Sequence, residues 1–333
     1  MVTIKDVAKY CNYSVSTVSY ALNGSKEIPE ETRNKILAAA KDLHYVPSAY
    51  ASGLKRKKTF NIGVFISDFD GPIHHKVLSG IATGINDIDK RYKILVTVSD
   101  KSMTMIKERL IDLAIIYDSK VDEELIKELS DILPIVTLDK KVDSKNVFNV
   151  DVNNKSAMYD QTQKLLKRGC KRIGYLYGPH VSHHNHERFL GYKEALNDND
   201  MYYPELFFDA DSFTEEKGYI TIKELLQNNK TINFDGLMCS NDELAFGAIR
   251  ALNEFGFNIP KDVKVTGFDN IDKCSLTIPT LSTISVDWND FGKKVIEYAI
   301  NVLNKKVKTK DYMINSANVI ERGSTEWNED YWQ

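Results

Sequence analysis

Beyond Phe60 the chain alternates short apolar runs with amphipathic stretches, and this alternation limits its fold more than any other feature. The runs are Asn61–Ser67, Lys93–Ser99, Leu113–Tyr117, Ile135–Asp139, Arg172–Tyr177, Gly236–Ser240 and Val263–Asp269. Helical patterns such as Lys155–Lys167 and Asp242–Phe255 lie between most of them. Strands that alternate with helices imply parallel sheets covered by helices on both faces. The pattern lasts nearly 275 residues, more than one such sheet usually needs. The expectation is an α/β core of two lobes, each a doubly wound parallel sheet. At 333 residues, 42% of them apolar, the chain can bury a large core without disulfides or a structural metal.

The first 58 residues read differently, as short helices only. Thr3 can cap a helix with Asp6 as its third residue, and Val7, Ala8 and Cys11 share one face to about Asn12. A second helix begins after Ser14, with Thr17 three residues on and an apolar stripe of Val15, Val18 and Leu22. Asn23-Gly24 stops it. A third follows Pro29 through Ile36, Leu37, Ala40 and Leu43, and Pro47 ends the unit. The turn between the first two helices has three to four residues, the spacing of a helix-turn-helix whose second helix enters the DNA major groove. Val15, Ser16, Ser19 and Tyr20 would then face the duplex: hydroxyls for base edges or phosphates, Val15 for a thymine methyl. A generic three-helix module is the alternative.

Charge supports the DNA reading. Residues 1–58 carry ten Lys/Arg and five Asp/Glu, a net +5, whereas the remainder carries 34 and 42, a net −8. A basic head on an acidic body suggests a polyanionic partner. The four cysteines, Cys11, Cys170, Cys239 and Cys274, form no CxxC pair and are expected to be reduced, mostly buried thiols. The opening MVTIKDVAKY has charges where a signal peptide needs an apolar stretch, and no window approaches a membrane span. A cytoplasmic protein without membrane contact is expected.

The string TIKDVAKYCNYSVSTVSYALNG (3–24), followed by ETRNKILAAAKDLHYVPSAYASGLK (31–55), resembles the head of the lac-repressor/galactose-repressor family of bacterial transcription regulators. The blocks NIGVFISD, RIGYLYGP, ERFLGYKEAL, MCSNDELAFGAIRALNEFG, VKVTGFDN and LSTISVD extend the resemblance, in order, over nearly the whole chain. It implies a helix-turn-helix domain at 1–46, a hinge helix and linker at 47–58, and an effector-binding core at 59–333 similar to periplasmic sugar-binding proteins. The N-lobe would be about 59–156 plus 287–316, the C-lobe about 157–286 plus 317–333. The family pairs two protomers on a pseudo-palindromic operator of double-stranded DNA. DNA contacts would fall on Thr3, Ser14, Val15, Ser16, Thr17, Ser19, Tyr20 and Asn23, and in the hinge on Tyr50, Ala51, Leu54 and Lys55. Leu54 matches the leucine that wedges into the central base step, a known use of an apolar side chain; packing on the core is the alternative. Gly53 beside it makes the hinge a reluctant helix.

The same resemblance places an effector, expected to be a sugar, between the lobes at the carboxyl ends of the strands. Arg188 matches the arginine that holds the effector. Asn241 and Asp242 match a polar pair facing or supporting the cleft, and Asp269 an acidic contact. Asp139 ends a strand nearby, Phe213 matches a stacking aromatic, and Ile73 and His74 lie on the N-lobe's opening loop. For Asp139 and Asp269 the alternative is strand-end capping; for Arg188 it is a surface ion pair. No cofactor or metal is expected. Six of the seven histidines cluster at His74-His75 and at His180, His183, His184 and His186. Solvated loop histidines at the cleft mouth are the expectation; metal binding and pH sensing are the alternatives.

Two departures from the family stand out. Asp100–Asp112 is short for a parallel crossover, so its helix should be stunted. No leucine heptads follow ERGST, so a homodimer is expected rather than a tetramer. GxGxxG after a strand, GxxxxGK[ST], GxSxG and HExxH are all missing, which argues against an enzyme. The leading expectation is a repressor of a carbohydrate-utilisation operon. A regulator answering a non-sugar effector or a protein co-regulator, and a ligand-binding protein without DNA function, are the alternatives.

Overall fold

The computed structural model describes residues 2–46, 58–228 and 232–326. Tyr50, Ala51, Gly53, Leu54 and Lys55, and with them the expected hinge helix, lie outside the described residues. The chain divides into two compact units, Met1–Thr59 and Phe60–Gln333.

The first unit holds helices α1 (Ile4–Cys11), α2 (Val15–Leu22) and α3 (Glu30–Asp42). Thr3 donates its N–H and its hydroxyl to the Asp6 carboxylate. Asn12 ends α1 in the left-handed region at φ +59°, and Ser14 caps α2 by accepting the Thr17 N–H. Val7, Ala8, Val18, Ala21, Ile36, Ala39 and Ala40 form the core. Leu37, expected inside, is exposed, and Val15 is exposed on the face expected to meet the duplex. In α3 the buried stripe is Ile36, Ala39 and Ala40, at i, i+3 and i+4, which turns Leu37 to solvent.

The second unit contains two six-stranded sheets. The first joins β1 (Asn61–Ile66), β2 (Lys93–Val98), β3 (Leu113–Tyr117), β4 (Ile135–Leu138) and β5 (Val147–Val152) with β11 (Asp311–Ile314), in the order β11-β5-β4-β3-β1-β2. All its pairings are parallel. The second joins β6 (Ile173–Tyr177), β7 (Phe207–Asp209), β8 (Gly236–Cys239), β9 (Lys264–Asp269), β10 (Ser282–Val286) and β12 (Ala317–Ile320), in the order β12-β10-β9-β8-β6-β7. Here only β12 runs antiparallel. Helices α4 (His74–Ile88), α5 (Glu123–Ser130), α6 (Asn154–Lys167), α7 (His183–Asn197), α8 (Glu215–Asn228), α9 (Asp242–Glu254) and α10 (Trp288–Leu303) cover them. Successive strand residues enter different cores: Leu113, Ile115 and Tyr117 join one apolar cluster, Ala114 and Ile116 another. That two-sided burial is why the strands read as continuous apolar runs.

The segment between β2 and β3 carries only two four-residue helices, Ser99–Ser102 and Thr104–Lys107. Met103, Ile106 and Ile111 still fill the face a longer helix would cover. The backbone passes between the sheets three times, after β5, between β10 and α10, and between β11 and β12. Asn153 ties two of these passages together, its Oδ1 accepting the N–H groups of Ser316 and Ala317. Glycines set the helix spacing at close contacts. A Cβ on Gly191 of α7 would lie 2.0 Å from the Lys155 carbonyl oxygen of α6.

Candidate functional site

The helical unit presents one polar surface. Val15, Ser16, Tyr20 and Asn23 are exposed along α2, as are Thr3 and Ser14; Thr17 and Ser19 are half-buried. Several of these groups already have partners: the Ser14 and Thr17 hydroxyls lie 2.8 Å apart, and Asn23 Nδ2 donates to the Ser19 carbonyl at 2.7 Å. These pairings set the entry of α2 and leave Ser16 and Tyr20 pointing outward.

In the core, the strand ends of the two sheets meet along a buried seam. Arg188, from the second turn of α7, is its centre and is only 3% exposed. Its Nε donates to Asn154 Oδ1 at 2.9 Å, its Nη1 to the Ser240 carbonyl at 2.7 Å, and its Nη2 lies 3.4 Å from Asp269 Oδ1. The guanidinium stacks 3.6 Å from the Phe268 ring centroid. Arg188 is therefore not a surface ion pair. Asn154 also donates to Asp151 Oδ1, at 3.1 Å. His184 Nε2 stands 2.9 Å from the same oxygen, in ion-pair contact but off the line of an aligned hydrogen bond. His184 Nδ1 lies 3.6 Å from Asp139 Oδ1, which accepts from the Ser182 hydroxyl at 2.8 Å and the His184 N–H at 2.6 Å. One polar network thus runs from Asp269 through Arg188, Asn154, Asp151 and His184 to Asp139. It links both sheets, since Asp139 and Asp151 belong to the first and Arg188, His184 and Asp269 to the second.

Burial shapes the electrostatics. It pushes the Asp269 carboxyl up to about 6, with Arg188 and then His184 pulling back. Burial also opposes charge on Asp151 and His184, and each overcomes it through the other. His184, then His183, holds Asp151 well below the usual carboxylate range. Asp139 and Asp151 hold the His184 imidazole above the ordinary histidine value. Asp139 at φ +58° and Asp269 at φ +107° occupy left-handed backbone that non-glycine residues rarely adopt. Both stand at strand ends on the seam, where backbone strain concentrates at ligand sites.

The remaining expected residues take supporting places. Asn241 caps α9 by accepting the Leu244 N–H, and its Nδ2 donates to the Phe213 carbonyl. Asp242 does not face the seam. It is buried, accepting from the Thr283 hydroxyl at 2.5 Å, the Ile271 N–H at 3.0 Å and the Cys274 thiol at 3.1 Å, and burial and the Asp269 charge push its carboxyl up to about 7. Phe213 packs its ring beside Gly178, where a Cβ would come within 2.6 Å of it. Ile73 precedes α4, half-buried against the first sheet's core. His74 sits edge-on to Tyr117 at 5.1 Å, with its Nδ1 3.1 Å from the Asp68 carbonyl.

The expectation of solvated histidines holds for His75, His180 and His186, which are exposed, and is corrected for the others. His183, His184 and His186 lie in the first turn of α7, His184 is buried, and burial holds the His74 imidazole below its ordinary value. Ser182 caps α7 and turns its first residues into the seam. Asn154, Asp151, Ser182 and Ser240 were not singled out in the sequence. Each is a short polar residue at an element end, the ordinary signature of a cap.

Comparison with known proteins agrees with both units. Residues 3–48 match the model for bacterial regulatory proteins of the lacI family, and residues 162–325 that for a periplasmic binding protein-like domain. The chain is 31% identical over 334 residues to the HTH-type transcriptional regulator RegA of Clostridium saccharobutylicum, covering 97% of this chain and 99% of that one. It is 30% identical over 315 residues to the ribose operon repressor of Halalkalibacterium halodurans, covering 92% of each. The fold matches that of the lac repressor dimer bound to operator and an anti-inducer, with a TM-score of 0.82, 22% identity and coverage of 97% and 99%. A LacI-family regulator of Enterococcus faecium with bound ribose gives a TM-score of 0.70 at 26% identity, over 80% of this chain and 98% of that one. The chain belongs to the lacI family of bacterial regulatory proteins. It is a DNA-binding transcriptional regulator, not an enzyme. Among the described residues no helix is long and apolar enough to cross a membrane.

Proposed function

We propose that this regulator is a cytoplasmic, dimeric repressor of a carbohydrate-utilisation operon, binding a pseudo-palindromic operator with an affinity set by a sugar held between its lobes. The network around Arg188 carries the reading. It gathers fixed donors and acceptors from both sheets around one buried arginine, which suits a small neutral ligand with hydroxyls around its edge. The ribose operon repressor among its relatives and the ribose-bound regulator support the same class of ligand. Ser16, Ser19, Tyr20 and Val15 would read bases, while Thr3, Ser14, Thr17 and Asn23 set the helix against phosphates. Arg188, Asp269 and Asp139 would hold the effector, with Asn241 and Phe213 supporting one wall and Ile73 and His74 the other.

A thermal-shift panel of pentoses, hexoses, disaccharides, sugar phosphates and purines tests this. A ligand at 100 times its Kd adds about 2.7 kcal/mol to native stability. The reading expects a shift from an uncharged sugar and none from it in Arg188→Ala. A shift from purines alone would replace the sugar assignment. Operator binding should weaken steeply with salt as phosphate counterions are released.

A further inference from the structure

We propose that Asp139, His184 and Asp151 form a proton-dependent latch across the lobe seam, closed while the imidazole carries its charge and released when the charge is lost. The two carboxylates come from the end of β4 and from β5, in the first sheet. The imidazole comes from the first turn of α7, above the second. His184 therefore bridges the lobes, with Nε2 2.9 Å from Asp151 and Nδ1 3.6 Å from Asp139. Two backbone contacts run beside the ring across the same seam. The His184 N–H donates to Asp139 Oδ1 at 2.6 Å, and the His183 N–H reaches the Asp139 carbonyl at 3.4 Å.

The charges around the ring fix the direction of the switch. Asp139 faces it from the end of β4, Asp151 from β5, Asp269 from the end of β9, and Arg188 from its own helix. His183 lies 3.0 Å from the other oxygen of Asp151. With the imidazolium present, two cations stand among three carboxyl groups. Without it, Arg188 alone remains as a fixed cation, and Asp139 and Asp151 lose the partner they share. Burial opposes the charged ring, but Asp139 and Asp151 hold its pKa above the ordinary histidine value. The latch is thus closed below that raised value and opens as pH rises through it. It acts within the core and requires neither the operator nor the effector assigned above.

Amide hydrogen exchange on the full chain, corrected for the intrinsic effect of pH on exchange, reads the seam directly. At pH 6 the amides of His183 and His184 should be protected; at pH 9 their protection should fall at least tenfold. Ladder amides of β6 and β8, inside one lobe, serve as the reference and should not change. His184→Gln keeps a hydrogen-bonding side chain without the charge, so it should show low protection at both pH values. Asp269 and Asp242 still titrate in that variant, so a pH-dependent loss that persists there overturns the latch, as does equal wild-type protection at both pH values. If His184→Gln does not fold, the His184 C2 proton resonance provides the test. Its titration midpoint should lie above that of a free histidine and drop in Asp139→Asn; an ordinary or lowered midpoint overturns the proposal. A chain that bound no operator would count against the repressor and leave these readings unaffected.

Discussion

The helical head and the α/β core hold their candidate contact residues in opposite ways. In the head they are mostly exposed, and the groups that have partners find them within four residues along the chain. In the core they are buried or half-buried, and the partners of the central one lie far off in sequence: Arg188 reaches Asn154, Ser240 and Asp269, which are 34, 52 and 81 residues away. The difference matches the two ligands. A polyanionic duplex is met on an open surface, where desolvation is slight and charge acts over a distance. A small neutral molecule offers only contact, so its site must be dry and prebuilt. The head's binding groups can therefore change with little effect on folding, whereas those of the core cannot.

Arg188→Ala tests that contrast most severely. It leaves Asp269 buried without its cation, and breaking a buried pair from one side costs about 3–5 kcal/mol. Thermal unfolding should show it, and a loss near zero would make the core's contacts as replaceable as the head's. A pH effect comes next. Asp242 and Asp269 titrate at about 7 and about 6 in the folded core, above ordinary carboxyls, and His184 is raised as well. All three stabilise the fold while protonated. The contribution of the two carboxyls should therefore fall as pH rises from about 4 to about 7, and denaturant titrations at several pH values should show a shallower fall in Asp242→Asn. Gly191→Ala should cost about 1–3 kcal/mol by forcing α6 and α7 apart. Asn241→Ala removes a cap and should cost about 1 kcal/mol. Ser16→Ala marks the other extreme. Its stability should stay within about 0.5 kcal/mol of wild type, while operator affinity, followed by fluorescence anisotropy, drops several-fold.

The same contrast governs what could be read from the sequence. The head was legible because its signals are local: Ser14 caps the helix it precedes, and Asn23-Gly24 follows the helix it ends. In the core, β1 to β4, β6, β8 and β9 announced themselves as apolar runs. β7, β11 and β12 did not, being edge strands of only three or four residues, too short for an apolar run to stand out. β5 was hidden by Asn149 and Asp151, polar residues that serve contacts rather than packing. Arg188 and Asp269 were reached through family motifs, and Asp139 through its place at a strand end. Nothing local could say that Asn154 stands beneath Arg188 or that His184 lies between two carboxylates. Such contacts exist only once two sheets have formed.

The three passages of the backbone between the sheets have a consequence for synthesis. β5 is complete at residue 152, but its outer neighbour β11 begins at residue 311, roughly 160 residues later. At about 5–20 residues per second, a ribosome takes on the order of ten seconds or more to supply it. Through that interval the nascent first sheet carries an open edge at β5, built from Val147, Val150 and Val152, until the last strands arrive. The first sheet is finished only at residue 314 and the second only at residue 320, so truncation before residue 311 leaves both incomplete. A chaperone that shields strand edges would find this protein a client during translation and indifferent to it afterwards.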